Sequence, residues 1–209
     1  MTSATPLTDR TIGSYLDTLG SATPTPGGGS VSGVAGALAA GLGQMVASVT
    51  GKSGEDPVYA EQVATLQAIR ERFTSGAEGD EIAYGGYIEA SRLPKSTAEE
   101  KAARREALQV ALERAARAPL AIAVTGADLL EVLTGVIAHG GGHILSDAEI
   151  GVLLGEVAVT GALINVRANL PYLKDAALVT ELTEAIAATE GRAREAAQAA
   201  RNLLTQRRA

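Results

Sequence analysis

The sequence predicts an all-α protein, an antiparallel bundle of about six helices, several of them long. Three observations carry this expectation. Apolar residues recur three and four apart over long stretches, the spacing that gathers them on one helix face. No stretch alternates apolar and polar residues over several positions, so no strand pair is predicted. Glycine- and proline-bearing segments separate the periodic runs. At 209 residues the chain suits one domain, 1–209, with a real core.

Taken in order, the first residues form a tail. Thr8 or Asp9 can cap a short helix that reaches Leu19, with Ile12, Tyr15, Leu16 and Leu19 on one face and Gly20 as its end. The next stretch, Thr23-Pro24-Thr25-Pro26-Gly27-Gly28-Gly29-Ser30, is the most distinctive. Its prolines hold the entry extended. Gly27, Gly28 and Gly29 let backbone approach a ligand closely, and Ser30 is predicted as the N-cap. The helix it opens, Val31 to Thr50, is built of small residues. Gly33, Ala37 and Gly41 lie four apart, as do Gly36 and Ala40, with Gly43 three further on. Such a helix packs close to its neighbours. Its N-terminus, with free N–H groups, suits an anion or polar ligand; the plainer reading is a flexible joint before a core helix. The run matches neither the G-x-x-x-x-G-K-[ST] phosphate loop nor the G-x-G-x-x-G fingerprint. Its length nearly suffices for a membrane span. Gln44 inside it, and flanks without an aromatic belt or basic cluster, favour a buried core helix and no membrane.

From about Val58 to Ala90 the period is helical again, through Val63, Leu66, Ile69, Phe73 and Ala77. Gly76, Gly79, Gly85 and Gly86 weaken it, so this helix is expected to be kinked or closely approached. Within it, Glu78 and Glu81 are expected to be solvated. Asp80 falls seven residues after Phe73 and seven before Tyr87, which puts it on the inner side, where a carboxylate is functional or paired.

Arg92 to Ser96 is a short loop, and Ser96 with Glu99 or Thr97 with Glu100 forms a capping box. A long helix follows from about Ala98 to Ala138, charged in its first half, bent at Pro119 and apolar in its second half. His139-Gly140-Gly141-Gly142-His143 is a second glycine loop. Its two histidines lack a third ligand, so no metal centre is predicted. Ser146-Asp147 is read as the cap of a helix from Ala148 to about Leu170. Asn165 and Asn169 share one face of it, and amides on an apolar helix have to be satisfied, by helix-to-helix bonds or by a polar heterocyclic ligand. After Pro171 to Asp175 a last helix runs to near the C-terminus.

Composition narrows the function. A formal net charge of -6 and 3% aromatic residues speak against nucleic-acid binding. There is no cysteine, hence no disulfide or thiolate site, and the N-terminus lacks the basic-then-apolar pattern of a signal peptide. A cytoplasmic setting is expected.

Several motifs occur together in a telling order. They are Pro24-Thr25-Pro26-Gly27-Gly28-Gly29-Ser30, Thr50-Gly51-Lys52, Asp80 before a tyrosine-bearing turn, Leu93-Pro94-Lys95-Ser96-Thr97 with Glu99-Glu100-Lys101, Ser146-Asp147-Ala148, and Asn165-Val166-Arg167-Ala168-Asn169-Leu170. Over nearly the whole chain this pattern resembles the cyclodeaminase/cyclohydrolase family, which includes the C-terminal domain of formiminotransferase-cyclodeaminase and stand-alone methenyltetrahydrofolate cyclohydrolase. Two departures stand out. The family's acidic motif usually reads Asp-(Ala/Val)-Glu-Ala-Phe, whereas this chain has Asp80-Glu81-Ile82-Ala83-Tyr84. Its Asn-rich turn before Ser-Asp is here Gly140-Gly141-Gly142-His143.

The resemblance implies an all-helical homodimer that works on a tetrahydrofolate derivative without a metal. Such an enzyme opens or closes the 5,10-methenyl bridge, as a cyclohydrolase or as a formimidoyltetrahydrofolate cyclodeaminase. The chain carries no formiminotransferase domain, which favours hydrolysis. A helical binding or dimerisation module that has lost its chemistry is the third reading. On this resemblance Asp80 moves the proton, Gly27, Gly28, Gly29 and Ser30 line the ligand, and Asn165, with Asn169 on the same face, bonds the pterin or the reacting nitrogen. Lys52 and Lys95 either meet the carboxylates of the folate tail or are surface lysines.

Overall fold

The computed structural model describes residues 5–51, 57–141 and 144–208. A 3-10 turn, Leu7–Asp9, precedes six α-helices: α1 (Ile12–Leu19), α2 (Gly28–Thr50), α3 (Pro57–Ser91), α4 (Ala98–His139), α5 (Leu145–Asn169) and α6 (Ala176–Arg208). No strand occurs among the described residues. The expected all-helical bundle is therefore what forms. Lys52, His143 and most of the connection after Thr50 lie outside the described residues.

Three helix starts differ from expectation, each for a local reason. Thr8 and Asp9 are spent on the 3-10 turn, and Thr11 caps α1 instead, accepting from the Ser14 amide at 3.1 Å. On α1 only Tyr15 is buried; Ile12 remains 80% exposed, and Leu16 also faces out. α2 begins at Gly28, with Gly27 extended in the N-cap position, so Ser30 lies inside the first turn and is not the cap. α5 starts at Leu145, ahead of Ser146 and Asp147, and has no side-chain cap. Of the two capping boxes foreseen before α4, the Thr97–Glu100 pair forms. α4 runs unbroken through Pro119, which is buried.

α3 and α5 pack along α2, and α4 packs against α3, α5 and α6. The contact of α2 with α3 is antiparallel and intimate. A Cβ at Gly43 would stand 3.3 Å from Leu66, one at Gly36 would overlap the Phe73 ring, one at Gly33 would lie 2.8 Å from the Ala77 Cβ, and one at Gly29 would overlap the Asp80 carboxylate. The stripe that receives α3 is thus Gly29, Gly33, Gly36 and Gly43. Gly41, grouped with Gly33 by spacing, faces open space. On α3, Gly76 is met by Ile122, whereas Gly79, Gly85 and Gly86 have nothing within 4 Å, and α3 is continuous through all four.

Leu66, Phe73, Leu129, Leu130, Leu133, Ile137 and Leu163 form the fully buried centre between these helices. α2, α4 and the segment from α5 to Tyr172 are each long and apolar enough, by length and composition, to cross a membrane. About half of each apolar window is buried inside the bundle, and for α2 that half is its contact with α3, α4 and α5.

Packing this tight sets an expectation. Gly36→Ala should cost about 1–3 kcal/mol, because Phe73 has to leave its place. Gly191→Ala on α6, where an added Cβ meets nothing within 4 Å, should stabilise by up to about 1 kcal/mol. Urea unfolding of the two variants beside the parent protein measures both.

Candidate active site

The α2–α3 register carries Asp80 to the N-terminus of α2. A cavity of about 260 Å³ opens there, walled by Gly27, Gly28 and Gly29 from α2 and its approach, Asp80 and Tyr84 from α3, and Asn165 and Asn169 from α5. Pro24 and Thr25 on one side and Ala115 and Ala168 on the other complete it. A larger groove of about 850 Å³ lies between α3 and α4, but it is shallow, and its arginines are engaged: Arg72 with Asp128, and Arg117 with Glu113 and Glu181. The smaller cavity holds the polar groups with capacity left for a ligand.

Asp80 is the one acidic group among its described lining residues. Burial is the main influence on the carboxyl and pushes its pKa up; the Ser30 backbone N–H opposes this, and the negative charge of Glu81 adds to it. The outcome is a pKa raised to about 6. Gly29 makes the approach possible, since any side chain there would occupy the carboxylate's place. Gly28 does the same for α5: an added Cβ would stand 3.1 Å from Asn165 Nδ2.

The two amides are partly committed. Asn165 Nδ2 donates to the Gly161 carbonyl at 2.9 Å, and Asn169 Nδ2 donates to the carbonyls of Ala115 and Asn165, both at 3.0 Å. These bonds orient the side chains and leave their Oδ1 atoms as acceptors at the cavity wall.

Ser30 belongs behind the wall. It is fully buried, its Oγ donates to Glu81 Oε1 at 2.9 Å, and it shares a 3.0 Å hydrogen bond with the Tyr15 hydroxyl. Lys95 is exposed on the α3–α4 connection and does not line the cavity. No Lys or Arg stands among the described lining residues. His139 closes α4, with Nδ1 3.0 Å from the Gly135 carbonyl, and the described residues contain no group of three His, Cys, Asp or Glu side chains able to hold a metal.

The expectation that Glu78 and Glu81 are solvated is corrected. Glu78 accepts from the Leu7 amide, and Glu81 pairs with Arg10 at 3.0 Å with only 11% of its side chain exposed. The N-terminal segment folds over this side of α3 and covers both. Tyr84 also joins the site without having been singled out for it; its place one turn after Asp80 is the signal that would have found it.

In this helical bundle one half-buried carboxyl group, a bare helix N-terminus and two oriented amides thus meet around one small cavity. The formiminotransferase-cyclodeaminase family model matches residues 11–188. The methenyltetrahydrofolate cyclohydrolase of Methylorubrum extorquens is 34% identical over 177 residues, which cover 83% of this chain and 85% of that protein. The formimidoyltransferase-cyclodeaminase of Gallus gallus is 31% identical over 184 residues, covering 86% of this chain but 34% of its own length, so the chain spans about a third of that longer relative. The crystal structure of formiminotetrahydrofolate cyclodeaminase from Thermotoga maritima matches with a TM-score of 0.84 and 25% identity, over 95% of this chain and 98% of that one. The chain belongs to the formiminotransferase-cyclodeaminase family.

The raised Asp80 pKa has a consequence for stability. The folded state holds this proton more tightly than the unfolded chain does, so ionisation costs stability as pH rises from about 4 to about 6. Asparagine escapes that cost. Asp80→Asn should therefore be more stable than the parent at pH 8, by on the order of 1–2 kcal/mol after allowance for its partial exposure, and the two should converge near pH 4. Denaturant melts at the two pH values test this.

Proposed function

We propose that the protein is a folate one-carbon enzyme that opens or closes the 5,10-methenyl bridge of tetrahydrofolate, with hydrolysis of that bridge favoured. The observation that carries the reading is the Asp80 carboxyl, raised to about 6 and set between the bare first turn of α2 and the Asn165 amide. A general acid–base is most effective when its pKa lies near the working pH.

In hydrolysis, water adds to the bridge carbon and Asp80, ionised, accepts its proton. The C–OH group of the tetrahedral carbon then becomes the formyl carbonyl as the bond to N5 breaks: Asp80 gives its proton to N5, the hydroxyl proton is released to water, and 10-formyltetrahydrofolate leaves. The ionised carboxylate also attracts the cationic bridge into the cavity. In the cyclodeaminase reaction N10 attacks the carbon of the protonated formimidoyl group, Asp80 accepts the N10 proton, and passing it to the resulting amino group lets ammonia depart and leaves the cationic methenyl bridge. Both routes cross a tetrahedral carbon between two nitrogens, and one carboxyl group serves both. The amide oxygens of Asn165 and Asn169 are acceptors for pterin N–H groups. The methenyltetrahydrofolate cyclohydrolase of Methylorubrum extorquens, 34% identical over 85% of its length, supports hydrolysis, and the Thermotoga maritima cyclodeaminase, matched over 98% of its chain, supports the cyclodeaminase reading.

The reading includes a homodimer. From Gly28 to Gly51 the chain has no charged residue, and Leu38, Met45 and Val49 of α2 stand exposed beside Leu153, Val157 and Ile164 of α5. Two packed helices that expose apolar residues at three- and four-residue spacing form a surface suited to a second copy. We place the enzyme in the cytoplasm, as its composition suggests.

Incubation with 5,10-methenyltetrahydrofolate and, separately, with 5-formimidoyltetrahydrofolate tests the chemistry through the methenyl absorbance. Accelerated loss from the first is the expected result; accelerated gain from the second identifies a cyclodeaminase. Asp80→Asn should lower either rate by at least about 100-fold, the scale of general acid–base catalysis. Parent activity towards the methenyl substrate should fall as pH drops through about 6, where Asp80 takes up its proton. Rates equal to the Asp80→Asn background on both substrates would leave a folate-like scaffold without chemistry. Light scattering should return twice the chain mass, and Leu38→Glu should halve it.

A further inference from the structure

Behind the cavity lies a second group of polar side chains that the chemistry above does not use. Arg10 Nη1 reaches Glu81 at 3.0 Å, and their side chains are 15% and 11% exposed. Glu81 Oε1 accepts from Ser30 Oγ at 2.9 Å, and Ser30 Oγ meets Tyr15 OH at 3.0 Å. Arg10 Nε donates to the Thr5 carbonyl at 2.9 Å, and the Leu7 amide donates to Glu78. The N-terminal segment is thereby tied to both α2 and α3. Ser30 is the hinge of this arrangement: its side chain faces Glu81, while its backbone N–H faces the Asp80 carboxyl.

We propose that Arg10 and Glu81 are positioning residues for the Asp80 site: their ion pair fixes Ser30 in the first turn of α2, and Arg10 cancels the second negative charge beside the reacting carboxyl. The inference rests on the assignment of Asp80 as the proton carrier.

The charged and titratable surroundings of Asp80 are few. The N-terminal segment and α1 bring Arg10 and Tyr15. α2 brings only N–H groups and its positive end, and α3 brings Glu81 and Tyr84. α4 brings Ala115, and α5 brings the neutral amides Asn165 and Asn169. Glu81 is therefore the one neighbouring carboxylate among these groups, and adjacent carboxylates raise each other's affinity for a proton. Removing one partner of a largely buried pair leaves the other charge uncompensated. Arg10 acts on Asp80 through Glu81, which predicts effects of opposite sign for the two residues.

The test is the titration of Asp80 followed by carboxyl-carbon NMR in the 209-residue protein without substrate, with Asp80→Asn to assign the signal. Arg10→Met should move the midpoint up by about one pH unit, Glu81→Gln should move it down by about half to one unit, and Arg10→Met should add nothing in the Glu81→Gln background. Arg10→Lys, which keeps the charge, should hold the midpoint within about 0.3 unit of the parent. The low-pH limb of the pH–rate profile for methenyl hydrolysis should follow the same shifts.

A merely structural role would lower the melting temperature of the variants and leave the midpoint in place. An unmoved midpoint in Glu81→Gln, or equal shifts in Arg10→Met and Arg10→Lys, overturns the inference. If Arg10→Met does not fold, Glu81→Gln and Arg10→Lys still decide it. Loss of the functional reading is separately visible: the parent protein then shows no turnover, while the NMR midpoints still report on the pair.

Discussion

The contact between the bare face of α2 and the inner face of α3 is the constraint on which the rest of the molecule depends. Glycine inside a helix costs up to about 1 kcal/mol relative to alanine, and α2 bears that cost at Gly33, Gly36 and Gly43. Close packing offsets it: Leu66, Phe73 and Ala77 sit where side chains of α2 would otherwise stand. The same register, continued by one turn, leaves Asp80 against Gly29. What begins as core packing ends as a carboxyl group at a helix N-terminus.

Two influences compete over that carboxyl. N–H groups and the positive helix end favour its ionised form. Removal from water favours the neutral form. Burial is the larger, and the pKa settles at about 6. Had the helix end won, Asp80 would be a permanently ionised cap with no proton to exchange near neutrality. The N-terminal segment adds to the balance from behind, where Arg10 occupies Glu81, and α5 closes the front with amides oriented by backbone carbonyls. The cavity therefore draws on four parts of the chain that are far apart in sequence and that only the bundle brings together.

Much of this was legible in the sequence. Periodic runs, several of them long, predicted about six helices, and the seven-residue step from Phe73 placed Asp80 inward. The pair Asn165 and Asn169 was visible as a polar interruption of an apolar helix. Other features were hidden for physical reasons. A run of glycines carries no side chain to mark where a helix begins, so the start of α2 was set at Ser30 when it falls at Gly28. The burial of Glu81 depends on Arg10, 71 residues away, and local periodicity carries no information about such a partner. The choice of Gly29 and Gly33 over Gly41 as the contact stripe follows from the crossing of α2 with α3, which spacing within α2 alone does not specify.

The most direct test of this account is the turnover of 5,10-methenyltetrahydrofolate by Gly29→Ala beside Gly36→Ala. Both variants add one methyl group to the same helix face. The account predicts that Gly29→Ala displaces Asp80 and loses at least about 100-fold in rate while remaining folded. Gly36→Ala should lose stability but keep most of its rate wherever it is folded. Undiminished turnover by Gly29→Ala would contradict the claim that the bare face of α2 exists to seat the reacting carboxyl.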